Sequence, residues 1–549
     1  MHRFEERMYV LLSHKKQKMM VLFMTALAFV LAIMMFPSKI VLAKMLPNKS
    51  TNTFSIYIDL PNGSSVLETQ HVNGCVLSWL QKEKEIHTIE VFNGMGAPLD
   101  YAGLVKGSGF KQGEHLSEIV VNLVHKHTEK SYEMVHRLRP LIQRSCEPLV
   151  AQTSIKMVEQ PAGPPTLAGI VVELYGKSGK MREDVAQTIK RILEQTSGLV
   201  DVDILMDEVY ERYTLVPDVE KITRSNLSLE RVHSTLGVAF EGMAISYKNN
   251  TQGASQIPLF VTLSDASKSL KQSSKEALHE KLASLMLFNT QGVSIPLSEV
   301  VRIEAEPSTP TIVSKNLKKV VRIVAETDLV SQVYPLLEAR SQIKEQFSKT
   351  FDVESTHLFD LRLRDKHSGE VFDVVWDGEM KVTLNTFRDL GGAFIAALVL
   401  IFLLMVVYYK SFALSGIVLL GSFLSIIGVI VGHWIMNGFV ASTFFLTATS
   451  LIGFISLMGI SSRNSLLLID FAQTLIAQGV EKKRAIAQAS ATRAKPIFLT
   501  AAAIILASTL LATDPIFGGL GVALIFGTIA AVIVSLVVIP VLMDNTKAI

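Results

Sequence analysis

The run GISSRNSLLLIDF, Gly459 to Phe471, sets two charges and four small polar residues inside an apolar block. A charged group at membrane depth costs several kcal/mol and normally faces a bundle interior or water. Arg463 and Asp470 stand two helical turns apart and so share a face. The block that holds them, Phe439 to Phe471, exceeds the roughly 20 residues a spanning helix needs. It reads as a membrane helix with Arg463 at depth and Asp470 at the cytoplasmic interface. Charges so placed serve an ion or proton relay, or they snorkel to the interface with no further role.

Working outward, the same test finds five more spans. One runs from Met19 to about Ala43, free of charge between Lys18 and Lys39. A signal peptide cut after Val41-Leu42-Ala43 is the rival reading, but the apolar run is longer than a signal peptide's core. Leu390 to Tyr409, Phe412 to Met436, Pro496 to Ala512 and Gly519 to Met543 complete the set. The positive-inside rule supports this count. Residues 1–18, Lys410, the basic loop at 481–495 and Lys547 all fall on one side if six helices alternate. The short loops on the other side carry no Lys or Arg, so both ends face the cytoplasm.

Composition agrees. Of 549 residues, 49% are hydrophobic and only 19% charged, below the quarter or so of a soluble chain. The net charge of +3 implies neither nucleic acid nor an acidic partner. Cys75 and Cys146 lack any metal-ligand spacing. They fall outside the membrane, where oxidation is possible; two buried free thiols are the expectation, and one disulfide the alternative. No Walker A, GxSxG or HExxH motif occurs, which argues against an enzyme.

Residues 44 to about 388 are water-soluble in composition. Phe54 to Leu60 alternates as a strand and stops at Pro61-Asn62-Gly63. A helix (Val66 to Leu80), strands (His87 to Phe92, Ile119 to Val124), a helix (Lys130 to Ile142) and a strand (Ser154 to Val158) follow. That order is the ferredoxin-like split unit. It begins again with a strand at Ile170 to Tyr175, a helix at Arg182 to Leu193 and a strand at Val200 to Leu205. After an insert at about 213–310 come a strand at Val320 to Glu326 and a helix at Tyr334 to Phe347. The fold class is a six-helix membrane bundle with an α+β outer domain of two ferredoxin-like units, the second interrupted.

Arg493 precedes Pro496, an ordinary residue for a helix start. Thr500 shares a face with Arg493, though a lone membrane threonine usually bonds its own backbone. His433 reads as interfacial and structural.

Gly459 to Phe471, followed by Arg493-Ala494-Lys495-Pro496-Ile497-Phe498-Leu499-Thr500-Ala501, resembles the resistance–nodulation–division (RND) efflux permeases, in their hydrophobe/amphiphile branch. Asp514-Pro515-Ile516-Phe517 with Gly519 to Gly527, and Met45-Leu46-Pro47 with Asp59-Leu60-Pro61-Asn62-Gly63, are similar to further parts of the family. The resemblance spans nearly the whole chain but matches only a permease's second half.

It implies a bacterial inner-membrane transporter with its large domain in the periplasm. Proton-motive force, not a cofactor, would drive export of small hydrophobic or amphiphilic compounds. The implied layout is a cytoplasmic segment (1–18), a membrane helix (19–43), a first porter subdomain (44–164), a second (165–212 and 311–388), a docking subdomain (213–310), five helices (390–543) and a cytoplasmic tail (544–549). Implied partners are an N-terminal-half RND polypeptide, copies in a trimer, a periplasmic adaptor, an outer-membrane channel and membrane lipid. Arg463 stands where the family sets a basic relay residue, often Lys; Asn464, Asp470, Arg493 and Thr500 join it as the expected proton relay. Arginine keeps its proton, so Arg463 would be a fixed counter-charge. The family's paired aspartates belong to the other half. The alternatives are a non-transporting fragment of a full-length permease and a protein-translocation accessory of the same superfamily.

Overall fold

The computed structural model describes residues 2–547 apart from 251–252, 254–255, 269–273 and 441–442. Parts of the expected third C-terminal span and of the tail thus lie outside the described residues. Two compact units emerge, Met1–Leu205 with Val313–Ile549, and Met206–Ile312.

The larger unit starts with α1 (His2–Ser13) and α2 (Lys15–Met34). Met8 and Leu12, one turn apart, bury α1 against Ala485, Ile486, Val541 and Met543 of later helices. Lys18 pairs with Asp544 at 2.6 Å, and Arg484 with Glu6 at 3.0 Å. These pairs bring residues 1–18, the basic run after 481 and the last helix to one end of the bundle, the grouping that the positive-inside rule requires.

The first sheet is built from β1 (Thr53–Asp59), β2 (Ile86–Met95), β3 (Gln112–Leu123) and β4 (Ser154–Glu159), in the order β2-β3-β1-β4 with every pair antiparallel. Helices α3 (Val66–Leu80) and α4 (Ser131–Cys146) cover it. A reciprocal Ser65–Glu68 capping box starts α3. Phe54, Ile56 and Ile58 point into the core with Val72, Val76, Leu138 and Ile142. Cys75 and Cys146 form a disulfide between α3 and α4, which corrects the expectation of two thiols. The two cysteines lie 71 residues apart, and only the packing of both helices over one sheet brings their Cα atoms to 5.7 Å.

The second sheet repeats this plan. β5 (Ile170–Tyr175), α5 (Gly179–Gln195), β6 (Leu199–Leu205), β7 (Lys318–Thr327), α6 (Val333–Phe347) and a late strand at Val371–Asp377 give the order β6-β7-β5-late strand. Two edge strands before the late one, β8 (Phe351–Ser355) and β9 (Leu361–Asp365), extend the sheet; the late strand is β10. Half-buried ion pairs tie the sheets together. Arg139 on α4 holds Asp201 at 3.3 Å and Asp328 at 3.0 Å, and Lys156 on β4 holds both Asp59 and Asp203.

Six helices among the described residues are long and apolar enough to cross a membrane. After α2 come α7 (Glu379–Tyr409), α8 (Phe412–Leu424) with α9 (Ile426–Asn437), α10 (Ala448–Ala477), α11 (Lys482–Ala512) and α12 (Gly518–Ile533) with α13 (Ile539–Asn545). Several expected boundaries change. α2 ends at Met34, not near Ala43. α7 starts well before Leu390, inside the outer domain. α10 starts only at Ala448, and Leu446 instead pairs with Ala43 in a short parallel bridge. The expected basic loop at 481–495 is mostly helix, so Pro496 lies inside α11 rather than at its start. Hydropathy marks where lipid contact begins; the backbone carries the helix past that point. A π turn at Val534–Val538 separates α12 from α13, where Pro540 can donate no backbone bond.

The start of α7 is anchored. Gly378 has φ 81°, and a Cβ there would lie 2.6 Å from the Ala168 carbonyl oxygen. The amides of Glu379 and Met380 donate to the Ala168 and Gly169 carbonyls, both at 3.1 Å. In the bundle, a Cβ on Gly428 would meet the Phe526 carbonyl oxygen at 2.2 Å, so α9 and α12 pack backbone to backbone.

The smaller unit pairs Glu211–Pro217 with Val301–Pro307 over a core of Ile222, Val232, Leu282, Leu297 and Val300. Asp218, Ser228 and Ser274 cap its helices. A hairpin, Met243–Lys248 with Ile257–Val261, exposes Ile245, Tyr247, Leu259 and Phe260.

Two outcomes follow for the outer domain. Removing the disulfide, by Cys75→Ser with Cys146→Ser, frees a 71-residue separation in the unfolded chain. Loop closure puts the loss at about 4 kcal/mol, visible as a lower melting temperature than the oxidised protein's. Burial pushes the Asp59 carboxyl up, but Lys156 and Lys111 outweigh it and hold the group at about 2. A depressed carboxyl stabilises the fold above its unfolded value, near 4, and loses that contribution as pH falls from there toward 2. Melting followed by circular dichroism should show this acid loss, and Asp59→Asn should flatten it.

Candidate functional site

On α10 the exposed residues are Ile452, Ser456, Gly459, Arg463, Leu467, Asp470, Thr474 and Ala477, one stripe at helical spacing. Arg463 sits mid-helix and, among the described residues, makes no hydrogen bond or ion pair. Asp470 shares the stripe, two turns on, and accepts a bond from the Tyr408 hydroxyl at 3.3 Å. The neighbouring Tyr409 hydroxyl donates to the Leu466 carbonyl at 3.2 Å.

The other expected relay residues are not gathered there. Asn464 is buried on the opposite side with Ser461, Ser462 and Ser465, where Ser462 meets Ser422 of α8 at 2.8 Å. One residue of helix turns the side chain by about 100°, so the SSRNS motif splits into an outward Arg463 and an inward polar seam. Arg493 lies over the Phe471 ring, 5.0 Å from its centroid, with its Nε buried and without a hydrogen-bond partner among the described residues. The exposed Thr500 donates to the Ile497 carbonyl at 3.0 Å, its own backbone. His433, expected at the interface, is fully buried. Its Nδ1 donates to the Val429 carbonyl at 2.8 Å, which leaves Nε2 to accept from Ser450 at 2.9 Å.

A second feature had no local signal in the sequence. A cavity of ≈ 140 Å³ lies in the outer domain beside the start of α7. Lys44, Arg139, Glu159, Glu326, Gln332 and Glu379 are in its wall. Glu326 is committed to Lys106 at 2.6 Å and to the Gly169 amide at 3.0 Å. Arg139 is committed to Asp201 and Asp328. Lys44 donates to Asn48 at 2.6 Å, and neither Glu159 nor Glu379 has an ion-pair partner among the described residues. Burial pushes the Glu159 carboxyl up, against the pull of Arg139 and Lys44. Burial also pushes the Lys44 ammonium down, against the nearby glutamates. Gln332 is 1% exposed and hydrogen-bonded with the Glu379 side chain, and its side-chain carbonyl oxygen has no partner among the described residues. Among the described residues, no group of three or more His, Cys, Asp or Glu side chains is placed to hold a metal ion.

These helices and sheets can be set beside known proteins. The AcrB/AcrD/AcrF family model matches residues 1–544, and the chain belongs to that family. It is 24% identical over 381 residues to the swarming motility protein SwrC of Bacillus subtilis (strain 168), covering 68% of this chain and 32% of the relative. It is 23% identical over 385 residues to the cobalt-zinc-cadmium resistance protein CzcA of Cupriavidus metallidurans, covering 68% and 33%. Two crystal forms of a heavy metal efflux pump share the fold, with TM-scores of 0.71 and 0.72 at 17% and 16% identity. Both likenesses cover 98% of this chain and 51% of the pump. The chain thus spans about a third of the curated relatives it matches and about half of the pump. These names do not point to the hydrophobe/amphiphile branch.

Ser450→Ala would leave His433 Nε2 buried without a partner. A loss of about 1–3 kcal/mol is expected, read as a lower melting temperature in detergent, with Ser450→Thr largely restoring it.

Proposed function

We propose that this chain acts as the C-terminal half of a proton-driven RND exporter in a bacterial inner membrane, working with an N-terminal-half RND polypeptide. The outward polar stripe on α10 carries this reading. A guanidinium at the middle of a membrane helix costs roughly 2.5–3.5 kcal/mol on insertion scales. A facing helix bundle with carboxylates would offset that cost and give Arg463 its counter-charges. Arg463 then acts as a fixed positive charge that tunes those carboxylates, with Asp470 on the same stripe at the membrane edge. Asn464, Arg493 and Thr500 support the helices around the relay.

The two repeated sheets are read as porter subdomains and the smaller unit as the docking subdomain. The exposed apolar hairpin of that unit supports self-association, in keeping with a trimer that meets an adaptor and an outer-membrane channel. Small amphiphilic compounds are the proposed substrates. Divalent metal ions are the second reading, favoured by a relative named for cobalt-zinc-cadmium resistance.

Arg463→Ala should abolish proton-coupled export from cells while the mutant still assembles at wild-type levels; unchanged efflux would sink the relay role. Purification from native membranes should bring down a second polypeptide with six helices, and a chain recovered alone argues against a split exporter. Accumulation of a fluorescent amphiphile or of zinc in a deletion strain separates the two substrates.

A further inference from the structure

The end of the bundle that gathers α1, the start of α11 and the end of α13 carries more positive charge than its carboxylates match. Residues 1–18, 481–484 and 544–547 hold nine Lys and Arg against four carboxylates, Glu5, Glu6, Glu481 and Asp544. Arg484 takes Glu6 at 3.0 Å and Glu5 at 3.9 Å, and Lys18 takes Asp544 at 2.6 Å. The His2 ring also lies 3.9 Å from Glu6. Arg3, Arg7, Lys15 and Lys16 are all exposed, and their side chains make no hydrogen bond or ion pair among the described residues. These four cations are held in place by the fold. Met8 and Leu12 bury one face of α1 in the bundle, which turns Arg3, Arg7 and Val10, spaced at four and three residues, outward together. Lys15 and Lys16 then open α2, whose next exposed residues include Met19, Met20, Phe23 and Met24.

We propose that the outward face of α1 and the α1–α2 elbow bind the headgroup of an anionic phospholipid in the cytoplasmic leaflet. Charge is the first argument: four cations without partners face outward, and a cluster of this size beside a membrane helix attracts anionic lipid. Depth is the second. Lys16 stands three residues before Met19, about 4–5 Å along the axis, and the headgroup layer is about 5–8 Å deep on each side. The lysines therefore lie at phosphate level when the apolar residues of α2 sit among acyl chains. The third is the exposed Val10 between the cations, an apolar contact that suits a helix lying in the interface and has no role toward an acidic peptide. The guanidinium groups of Arg3 and Arg7 can each grip a phosphate with two parallel N–H bonds, and the lysines add point charge. A lipid held there would keep α1 seated over α11 and α13.

The test uses the full chain in a neutral detergent, with bound lipid counted by native mass spectrometry. Phosphatidylglycerol is the probe. Phosphatidylcholine, which has the phosphate but no net charge, is the control, and inorganic phosphate is the free anion. Saturable retention of phosphatidylglycerol over phosphatidylcholine is expected. Arg3→Gln or Arg7→Gln should weaken it about fivefold, the effect of one cation at an anionic surface. Arg7→Lys, which keeps the charge and loses the fork, should weaken it less. Lys15→Gln with Lys16→Gln, both exposed, should weaken it more than about tenfold at an unchanged melting temperature, which keeps the test open should the α1 variants misfold. Lys177→Gln with Lys180→Gln, exposed cations of the outer domain, should leave it as it is. Equal retention of the two lipids, or phosphatidylglycerol retention unchanged when all four cations become Gln, overturns the proposal. So does displacement of the lipid by inorganic phosphate at equal concentration, because a free anion is then the occupant. No transport is measured, so a failure here leaves the exporter reading standing.

Discussion

A guanidinium exposed halfway along a membrane helix is the constraint around which this protein is arranged. Lipid cannot solvate it, and among the described residues none of the chain's own helices pairs with it. They turn their small residues inward, with Gly428 against Phe526 and a seam of serines between α8 and α10. The bundle therefore has a dry, close-packed side and a side that ends in Arg463 and Asp470. The first is complete in itself. The second turns its charges outward, away from the packed seam.

The outer domain solves a different problem. Two sheets of the same strand order must stay registered although the second is interrupted between β6 and β7. Apolar packing stabilises each sheet, and buried charge joins them. Arg139, Lys156 and their aspartates sit where the sheets meet, and their fixed geometry specifies one arrangement more than it adds stability. The disulfide then clamps the two helices of the first sheet.

Much of this was legible in the sequence, for reasons that can be named. Phe54 to Leu60 alternates because one face of β1 packs under helices, and Val66 to Leu80 keeps helical spacing for the same reason. Strands β8 and β9 were missed because they lie at a sheet edge with mixed exposure. The start of α7 was missed because Lys381, Arg388 and Asp389 make it look soluble, and hydropathy reports lipid rather than helix. The split of Arg463 from Asn464 needed knowledge of which face of α10 packs. The cavity could not be read at all: Lys44, Glu159, Gln332 and Glu379 are scattered along the chain, and only the fold collects them. Whether Cys75 and Cys146 stay free or pair, both open in the sequence, is decided by the fold for the same reason.

Helix α7 has 31 residues in one piece, so it is a rod about 46 Å long. One end is bolted to the second sheet at the start of β5, through Gly378, Glu379 and Met380. The other reaches Tyr408 and Tyr409, against Asp470 and Leu466. A rigid rod behaves as a lever arm: a rock of about 5° at the seated end sweeps the far end through about 4 Å. That stroke is longer than the Tyr408–Asp470 hydrogen bond, so a small pivot of the sheet is enough to make or break a contact on the stripe that carries Arg463.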